Sequence, residues 1–101
     1  MIDRDFMRGF VKLHTLWRTS QEAVYGVQIL QEMKGLGFNL SPGTLYPTLA
    51  ALLEEKDVKV HQQVVKGKVR KLYRITPKGR RELDEVRERL RVLMRRMFSR
   101  K

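Results

Sequence analysis

Residues 41–49 read Ser-Pro-Gly-Thr-Leu-Tyr-Pro-Thr-Leu and carry the strongest local signal in the chain. Serine is a common helix cap, and proline suits the first helical position because its missing N–H has no intrahelical partner there. The segment therefore predicts the start of a short helix. Its core face is expected at Leu45, Leu49, Leu52 and Leu53, and its exposed face at Gly43, Thr44, Pro47 and Thr48.

Pro47 leaves the first residue of this helix open. A proline inside a helix removes one backbone hydrogen bond and crowds the carbonyl group four residues earlier. Either Thr44 is the cap, which places Pro47 in the harmless first turn, or the helix begins earlier and bends at Gly43. Both alternatives keep the same core face.

Two helices are predicted before this segment. In residues 5–18, apolar residues recur every three or four positions, as in an amphipathic helix: Phe6, Phe10, Leu13 and Trp17, flanked by Met7, Val11 and Leu16. Residues 19–22 should break that helix. A second helix is expected from about Val24 to Leu36, ending at Gly35 and Gly37. Its predicted buried residues are Val24, Val27, Leu30 and Met33.

Beyond residue 58, an alternating pattern replaces the helical one and predicts a β-hairpin. One strand is marked by Val58, Val60 and Val64, and the other by Val69, Tyr73 and Ile75. Lys66-Gly67 between them is typical of a tight turn, because glycine accepts the positive φ that such turns require. Thr76-Pro77 then repeats the cap-and-proline signal and begins a long final helix, with apolar residues at Leu83, Val86, Leu90, Leu93 and Met97.

The positive charge of the chain is concentrated on the predicted hairpin. The formal net charge is +11, and residues 58–81 contain nine basic residues and no acidic one. The final helix, in contrast, mixes acidic residues with its arginines. An imbalance of this kind favours a polyanionic partner, because lysine and arginine gain affinity for DNA by releasing counterions.

A short helix with small exposed residues, followed by a basic hairpin, is the arrangement of a winged helix-turn-helix. The predicted fold class is therefore mainly α with a small β-hairpin (α+β). The major groove of DNA admits one helix, and the predicted contacts of that helix are Ser41, Gly43, Thr44, Tyr46 and Thr48. Lys66, Lys68 and Arg70 are the predicted contacts of the hairpin. Two roles stay open for Tyr46: packing beside Leu45, or reaching a phosphate with its hydroxyl.

Three separated motifs resemble the PadR family of transcription regulators. They are Tyr25-Gly26, residues 41–47, and residues 72–79, which read Leu-Tyr-Arg-Ile-Thr-Pro-Lys-Gly. The resemblance implies a homodimeric repressor whose third helix enters the major groove of double-stranded DNA and whose terminal helices form the dimer. The chain departs from the commoner family pattern at Val27, where an aromatic residue often stands, and lacks the usual proline before Tyr25.

The far end of the last helix lies well beyond the last strand, where few partners within the chain remain. We therefore expect a two-fold dimer in which Leu90, Leu93, Met94 and Met97 pack against the partner's first helix at Phe6, Phe10 and Trp17. The expected division is a winged-helix domain at residues 1–79 and a dimerisation helix at residues 80–101. The family resemblance also allows Trp17 to stack on a small aromatic effector, although a lone tryptophan more commonly anchors a core or an interface.

The sequence argues against catalysis and metal binding. There is no cysteine, and His14 and His61 lie in different elements, so no zinc-binding spacing exists and no cofactor is expected. No apolar run is long enough to cross a membrane, and the N-terminus lacks the features of a signal peptide, so a cytoplasmic protein is expected. Two alternatives to a sequence-specific regulator stay open: a sequence-neutral architectural DNA-binding protein, and a protein-interaction module that uses its last helix.

Overall fold

The computed structural model describes residues 2–99 and, in that range, consists of four helices and a three-stranded antiparallel sheet. The sheet order is β1-β3-β2, and its buried face packs against the helices. This architecture confirms the predicted α+β class. The elements in chain order are α1 (Arg4–Gln21), β1 (Val24–Tyr25), α2 (Gly26–Gly35), α3 (Pro42–Glu54), β2 (Val58–Val65), β3 (Lys68–Ile75) and α4 (Pro77–Met97).

Helix α1 ends later than predicted, at Gln21 instead of Arg18. Thr19 does not break it, because its buried hydroxyl donates a hydrogen bond to the carbonyl of Thr15 at 2.7 Å. A threonine whose hydroxyl is satisfied by its own helix can stay in that helix. Two residues predicted to flank the apolar stripe, Val11 and Leu16, are the ones that enter the core.

Strand β1 was not predicted. Val24 and Tyr25 pair with Tyr73 and Leu72 of β3 instead of forming the first turn of a helix. Valine and tyrosine suit extended backbone, and the free edge of β3 supplies hydrogen-bond partners for it.

The later start of α2 changes its buried face. Ile29 and Met33 are four residues apart and share the core face, whereas Val27 lies on the far side of the helix and is 44% exposed. The prediction that Val27 is buried is therefore wrong, while Val24 is buried as predicted, although in a strand.

Helix α3 begins at Pro42, with Ser41 in the cap position and extended backbone at φ −90° and ψ 156°. The alternative in which Thr44 is the cap is wrong, and Pro47 lies inside the helix. The carbonyl that loses its partner belongs to Gly43, which is exposed and open to solvation. Leu45, Leu49 and Leu52 are buried, as predicted for the core face.

The wing, defined here as the β2–β3 hairpin of residues 58–75, has the predicted turn. Lys66 and Gly67 have φ values of 52° and 77°, and positive values at both positions are those of a two-residue type I′ turn. At the root of the wing, Val58 pairs with Ile75 and both are buried. The residues from Lys59 to Lys71 are all exposed, so the wing projects into solvent beyond its root.

One close contact joins α3, the wing and α4, and we call it the Asp57 junction (Lys56, Asp57, Thr76, Lys78 and Gly79). Thr76 caps α4 by accepting a hydrogen bond from the Gly79 amide at 3.0 Å, and its own amide donates to the Asp57 carbonyl at 3.0 Å. A Cβ atom on Gly79 would lie 2.1 Å from that same carbonyl oxygen. Only glycine lets α4 begin so close to the end of α3.

The Asp57 side chain completes the junction. It is fully buried, and its Oδ1 accepts a hydrogen bond from Lys78 Nζ at 2.8 Å. Lys78 also pairs with Glu82 one turn later, at 3.0 Å. Burial by itself raises the pKa of Asp57, but side-chain hydrogen bonds, of which that from Lys78 is the strongest, act with the positive charge of Lys78 to outweigh burial, so the pKa of this carboxyl is lowered.

We predict that Asp57→Asn destabilises the protein at neutral pH by removing the negative charge that Lys78 faces. Because the pKa of Asp57 is depressed in the folded state, the carboxylate stabilises the fold above its ordinary pKa of 3.8. That contribution is lost as the pH falls through the lower folded-state value. The difference in unfolding free energy between wild type and variant, measured with denaturant, should therefore shrink below pH 4. A difference that stays constant from pH 7 to pH 2.5 would show that the charge does not matter.

Candidate nucleic-acid interface

Helix α3 and the wing adjoin across a cleft of about 380 Å³. The first turn of α2 forms its base, Tyr46 of α3 forms one wall, and β3 forms the other. We call this the Tyr46 cleft, and its lining residues are Tyr25, Gly26, Val27, Tyr46, Val69, Arg70, Lys71 and Tyr73. The two elements predicted to contact DNA therefore border one shared concave surface.

The exposed side of α3 largely follows the prediction. Ser41, Gly43 and Pro47 are exposed, and Thr44 is half-buried with its hydroxyl 3.3 Å from that of Ser41. The prediction that Thr48 lies on the exposed face is wrong. Thr48 is only 9% exposed, and its hydroxyl donates to the Thr44 carbonyl at 2.9 Å. It lies one position from Leu49 on the side of α3 that faces the protein, so it does not belong to the exposed surface.

The position of Tyr46 bears on one of the two roles left open for it, packing beside Leu45. Its ring lies over Gly26, where an added Cβ atom would come within 3.0 Å of the ring carbon Cε1. Tyr46 therefore packs on the start of α2 rather than beside Leu45, which is fully buried. It is still 46% exposed and forms part of the outer surface of the cleft.

The wing carries uncompensated positive charge. Lys66 lies at its tip, and Lys68 and Arg70 follow on β3, where all three are exposed. Within residues 2–99, the wing cations form no ion pair, whereas Lys78 is bound to Asp57 and Arg89 pairs with Glu85 in α4. Charge left unpaired by the protein is available to a polyanion.

Strand register separates these cations into two groups. Side chains alternate across a strand, so Lys71 lies on the same face of β3 as Tyr73, while Lys68 and Arg70 lie on the opposite face. Lys71 is thus the wing cation whose side chain shares the cleft face with Tyr73, although Arg70 also lines the cleft. Sequence reasoning missed Lys71, because only the pairing of β3 with its neighbours shows which face is turned toward α3.

The residues predicted to form a dimer interface lie at the surface. Phe6, Phe10 and Trp17 are exposed along one side of α1, and Phe10 also stacks on Phe38 with ring centroids 5.0 Å apart. On α4, Leu93, Met94 and Met97 are exposed and Leu90 is half-buried.

Trp17 borders an apolar hollow of about 220 Å³ and meets the ring of His14 edge-on at 5.9 Å. Burial lowers the pKa of His14, with the nearby Glu32 acting against that effect, so the neutral imidazole is favoured at this contact. The hollow is lined by Phe10, Leu13, His14, Trp17, Met33, Leu36 and Phe38.

Neither a cluster of metal ligands nor a membrane-spanning helix is found among the described residues. Between residues 2 and 99, no group of three or more His, Cys, Asp or Glu side chains is placed to hold a metal ion. In the same range, no helix combines the length and apolar character needed to cross a bilayer.

The geometry of α2, α3 and the wing defines a winged helix-turn-helix. Residues 13–85 match the PadR-like family of transcriptional regulators. Transcriptional regulator Rv3488 of Mycobacterium tuberculosis is 42% identical over 96 residues, which cover 95% of this chain and 90% of that protein. The chain therefore belongs to the PadR-like family, whose members are transcriptional regulators, and family membership implies DNA-binding regulation.

Solved structures agree with this assignment. The PadR-like transcriptional regulator BC4206 of Bacillus cereus is 26% identical, with a TM-score of 0.78, over 96% of this chain and 99% of that one. A PadR-like transcription factor from Bacteroides fragilis has a TM-score of 0.81 over 92% of this chain and 91% of its own. Its identity of 24% shows a shared fold alone.

We predict that Gly26→Ala displaces the Tyr46 ring by a few tenths of an ångström, because the new methyl group would meet it at 3.0 Å. The aromatic NMR resonances of Tyr46 should shift in this variant. Gly35→Ala in the same helix is the matched control, since no atom lies within 4 Å of its added Cβ. Equal shifts in both variants would mean that Tyr46 does not rest on Gly26.

Proposed function

We propose that this PadR-like regulator is a homodimeric repressor that binds a pseudo-palindromic operator, with α3 in the major groove and the wing along the adjacent backbone. The observation that carries the proposal is the Tyr46 cleft, in which α3 and the wing border one surface. A single duplex can then contact both elements. The positive charge of the wing also supports DNA as the partner, because the wing cations form no ion pair with an acidic residue within residues 2–99.

The two elements would divide the work of recognition. Ser41, Gly43, Thr44 and Tyr46 are the proposed contacts of α3, and Thr48 is left out because it is buried. A threonine at the start of the helix can read a base edge or a thymine methyl group. Lys66, Lys68 and Arg70 are the proposed contacts of the wing, where they would bind phosphates without reading sequence.

Dimerisation would follow from the exposed apolar surfaces of α1 and α4. Leu90, Leu93, Met94 and Met97 recur every three or four residues and share one side of α4. We propose that this stripe packs on Phe6, Phe10 and Trp17 of the partner. The partner's helix, or a small aromatic effector beside it, would fill the hollow at Trp17.

Within each chain, the proposed division into residues 1–79 and 80–101 separates the DNA-binding domain from the dimerisation helix. The anchored part of α4 reaches slightly beyond that boundary, because Leu83 is buried in the core.

A symmetric dimer presents two copies of α3, so the two half-sites are expected about one helical turn, or roughly 34 Å, apart. Repression is the proposed outcome because a bound dimer that covers a promoter is sufficient for it, without a separate activating surface. In vitro transcription from a promoter that carries the operator tests this part of the proposal. An increase in transcript on adding the protein would reverse it.

We predict that Thr44→Ala weakens binding to the preferred operator by about 1–3 kcal/mol and leaves binding to random duplex almost unchanged, because a base contact is lost. Lys68→Ala should weaken binding to both duplexes equally and reduce the slope of log affinity against log salt by about 1, because a phosphate contact is lost. Fluorescence anisotropy over a range of salt concentrations measures both effects.

The same titrations separate the alternatives. If Thr44→Ala and Lys68→Ala each change operator and random-duplex affinity by the same factor, the protein is a sequence-neutral architectural binder. If the wild type binds no duplex at low salt, a protein-interaction module is the better description.

We predict that Met97→Glu weakens the dimer by about 3 kcal/mol, or roughly a hundredfold in Kd, because a carboxylate would be buried in an apolar interface. Val92→Glu is the matched control, since Val92 is also exposed but lies on the opposite side of α4 from the stripe. Analytical ultracentrifugation at micromolar concentration measures both variants. A wild type that sediments as a stable monomer under these conditions would contradict the proposed dimer.

A further inference from the structure

We infer that the Tyr46 cleft is a binding site for one phosphate group of the DNA backbone, with Lys71 as its cation and Tyr46 and Tyr73 as hydroxyl donors. The inference rests on the proposed function, since the phosphate belongs to bound duplex DNA. It adds a third kind of contact, located between the groove helix and the wing. It assigns roles to Lys71 and Tyr73, which are not among the contacts proposed above for α3 and the wing.

The base of the cleft is the start of a ten-residue helix. Gly26 and Val27, the first two residues of α2, line the cleft. Amide groups in the first turn of a helix have no intrahelical acceptor, and the helix dipole makes this end positive. The amide of Tyr25 is already used, because it donates to Oε1 of Gln28 at 2.7 Å. The residues that follow it, Gly26 and Val27, belong to the positive end of the helix and line the cleft.

Tyr73 supplies an unpaired hydroxyl donor at the wall of the cleft. It is only 5% exposed, yet it lines the cleft, and its hydroxyl takes part in no hydrogen bond with residues 2–99. The side chain as a whole is buried, but its hydroxyl oxygen reaches solvent and can donate to a ligand in the cleft. Burial raises the pKa of Tyr73, and Tyr46 raises it further, so this hydroxyl keeps its proton and remains a donor at neutral pH.

The charge of the lining points to an anion. Lys71 is exposed, lies on the same face of β3 as Tyr73, and forms no ion pair within residues 2–99. No aspartate or glutamate lines the cleft. A helix start, two tyrosines and a lysine therefore line one cleft, and this set of donors suits a phosphate oxygen.

The location of the cleft identifies the source of that phosphate. Free inorganic phosphate and a backbone phosphodiester present the same oxygens, but only the phosphodiester is attached to a duplex that also reaches α3 and the wing. A phosphate held between these elements would set how deeply and in which register α3 enters the groove. Lys71 and the two tyrosines would then act on the affinity for every sequence.

The test uses the full chain and an operator selected from a random duplex pool with the wild type. Single phosphates of the operator are replaced one at a time by neutral methylphosphonate. We expect one position per half-site at which the replacement lowers wild-type affinity roughly tenfold, and we expect Lys71→Met to be insensitive at that position. Lys71→Met should also reduce the salt slope by about 0.9.

Lys59→Met is the matched control. Lys59 is an exposed wing cation on the face of the sheet opposite Tyr73, and it pairs with Arg74 across the strands. This variant should keep the methylphosphonate sensitivity of the wild type. Tyr46→Phe and Tyr73→Phe, which retain the rings and remove only the hydroxyls, should each reduce that sensitivity. Full sensitivity in Lys71→Met, or equal loss in Lys59→Met, would overturn the assignment.

The outcomes separate this inference from the proposed function. If selection yields no bound duplex, the proposed function fails. If an operator is found but Lys71→Met behaves like the wild type at every position, only the phosphate site fails. A third arm titrates inorganic phosphate, with chloride at equal ionic strength, and follows the Lys71 and Tyr73 resonances by NMR. Saturable phosphate binding without methylphosphonate sensitivity would reassign the cleft to a free anion and overturn the inference.

Discussion

The close approach between Gly79 and the Asp57 carbonyl is the constraint on which the rest of the structure depends. At this junction the end of α3, the root of the wing and the start of α4 meet through hydrogen bonds from Thr76 to Asp57 and from Gly79 to Thr76. Any side chain at Gly79 would collide with the backbone carbonyl of Asp57. Because three elements share one anchor, the junction sets the orientation of α3, the wing and α4 relative to one another.

A second close contact arranges the surface that is proposed to face DNA. Tyr46 rests on the start of α2, where residue 26 has no side chain, and it lines the cleft that β3 borders on the other side. The wing beyond its root is held mainly by strand pairing, and Lys59 faces Arg74 directly across the strands. Like charges in that position are unfavourable. The wing therefore keeps an arrangement of charge that the isolated protein does not stabilise and that a bound polyanion would.

The two terminal helices, α1 and α4, leave apolar surface exposed. After Leu83, the described part of α4 is exposed except for the half-buried Leu90, and the protein is elongated, with extents of 58 × 31 × 20 Å. A helical segment without tertiary contacts is marginally stable in water. Within one chain, most of its apolar stripe and the aromatic residues of α1 remain exposed to solvent. Pairing between two chains would bury both surfaces and support the helix that the junction projects outward.

The sequence by itself determined the features that depend on local backbone preferences. The start of α4 follows from Thr76-Pro77 and the wing turn from Lys66-Gly67, because caps, prolines and positive φ act over a few residues. Ser41-Pro42 indicated that α3 begins nearby, but Pro47 left its first residue open. Tertiary structure alone decided the rest: the pairing of Val24 and Tyr25 with β3, the burial of Thr48, the seat of Tyr46 on Gly26 and the face on which Lys71 lies. Each of these depends on contact between residues distant in the chain, and a local pattern contains no information about which distant partner will be present.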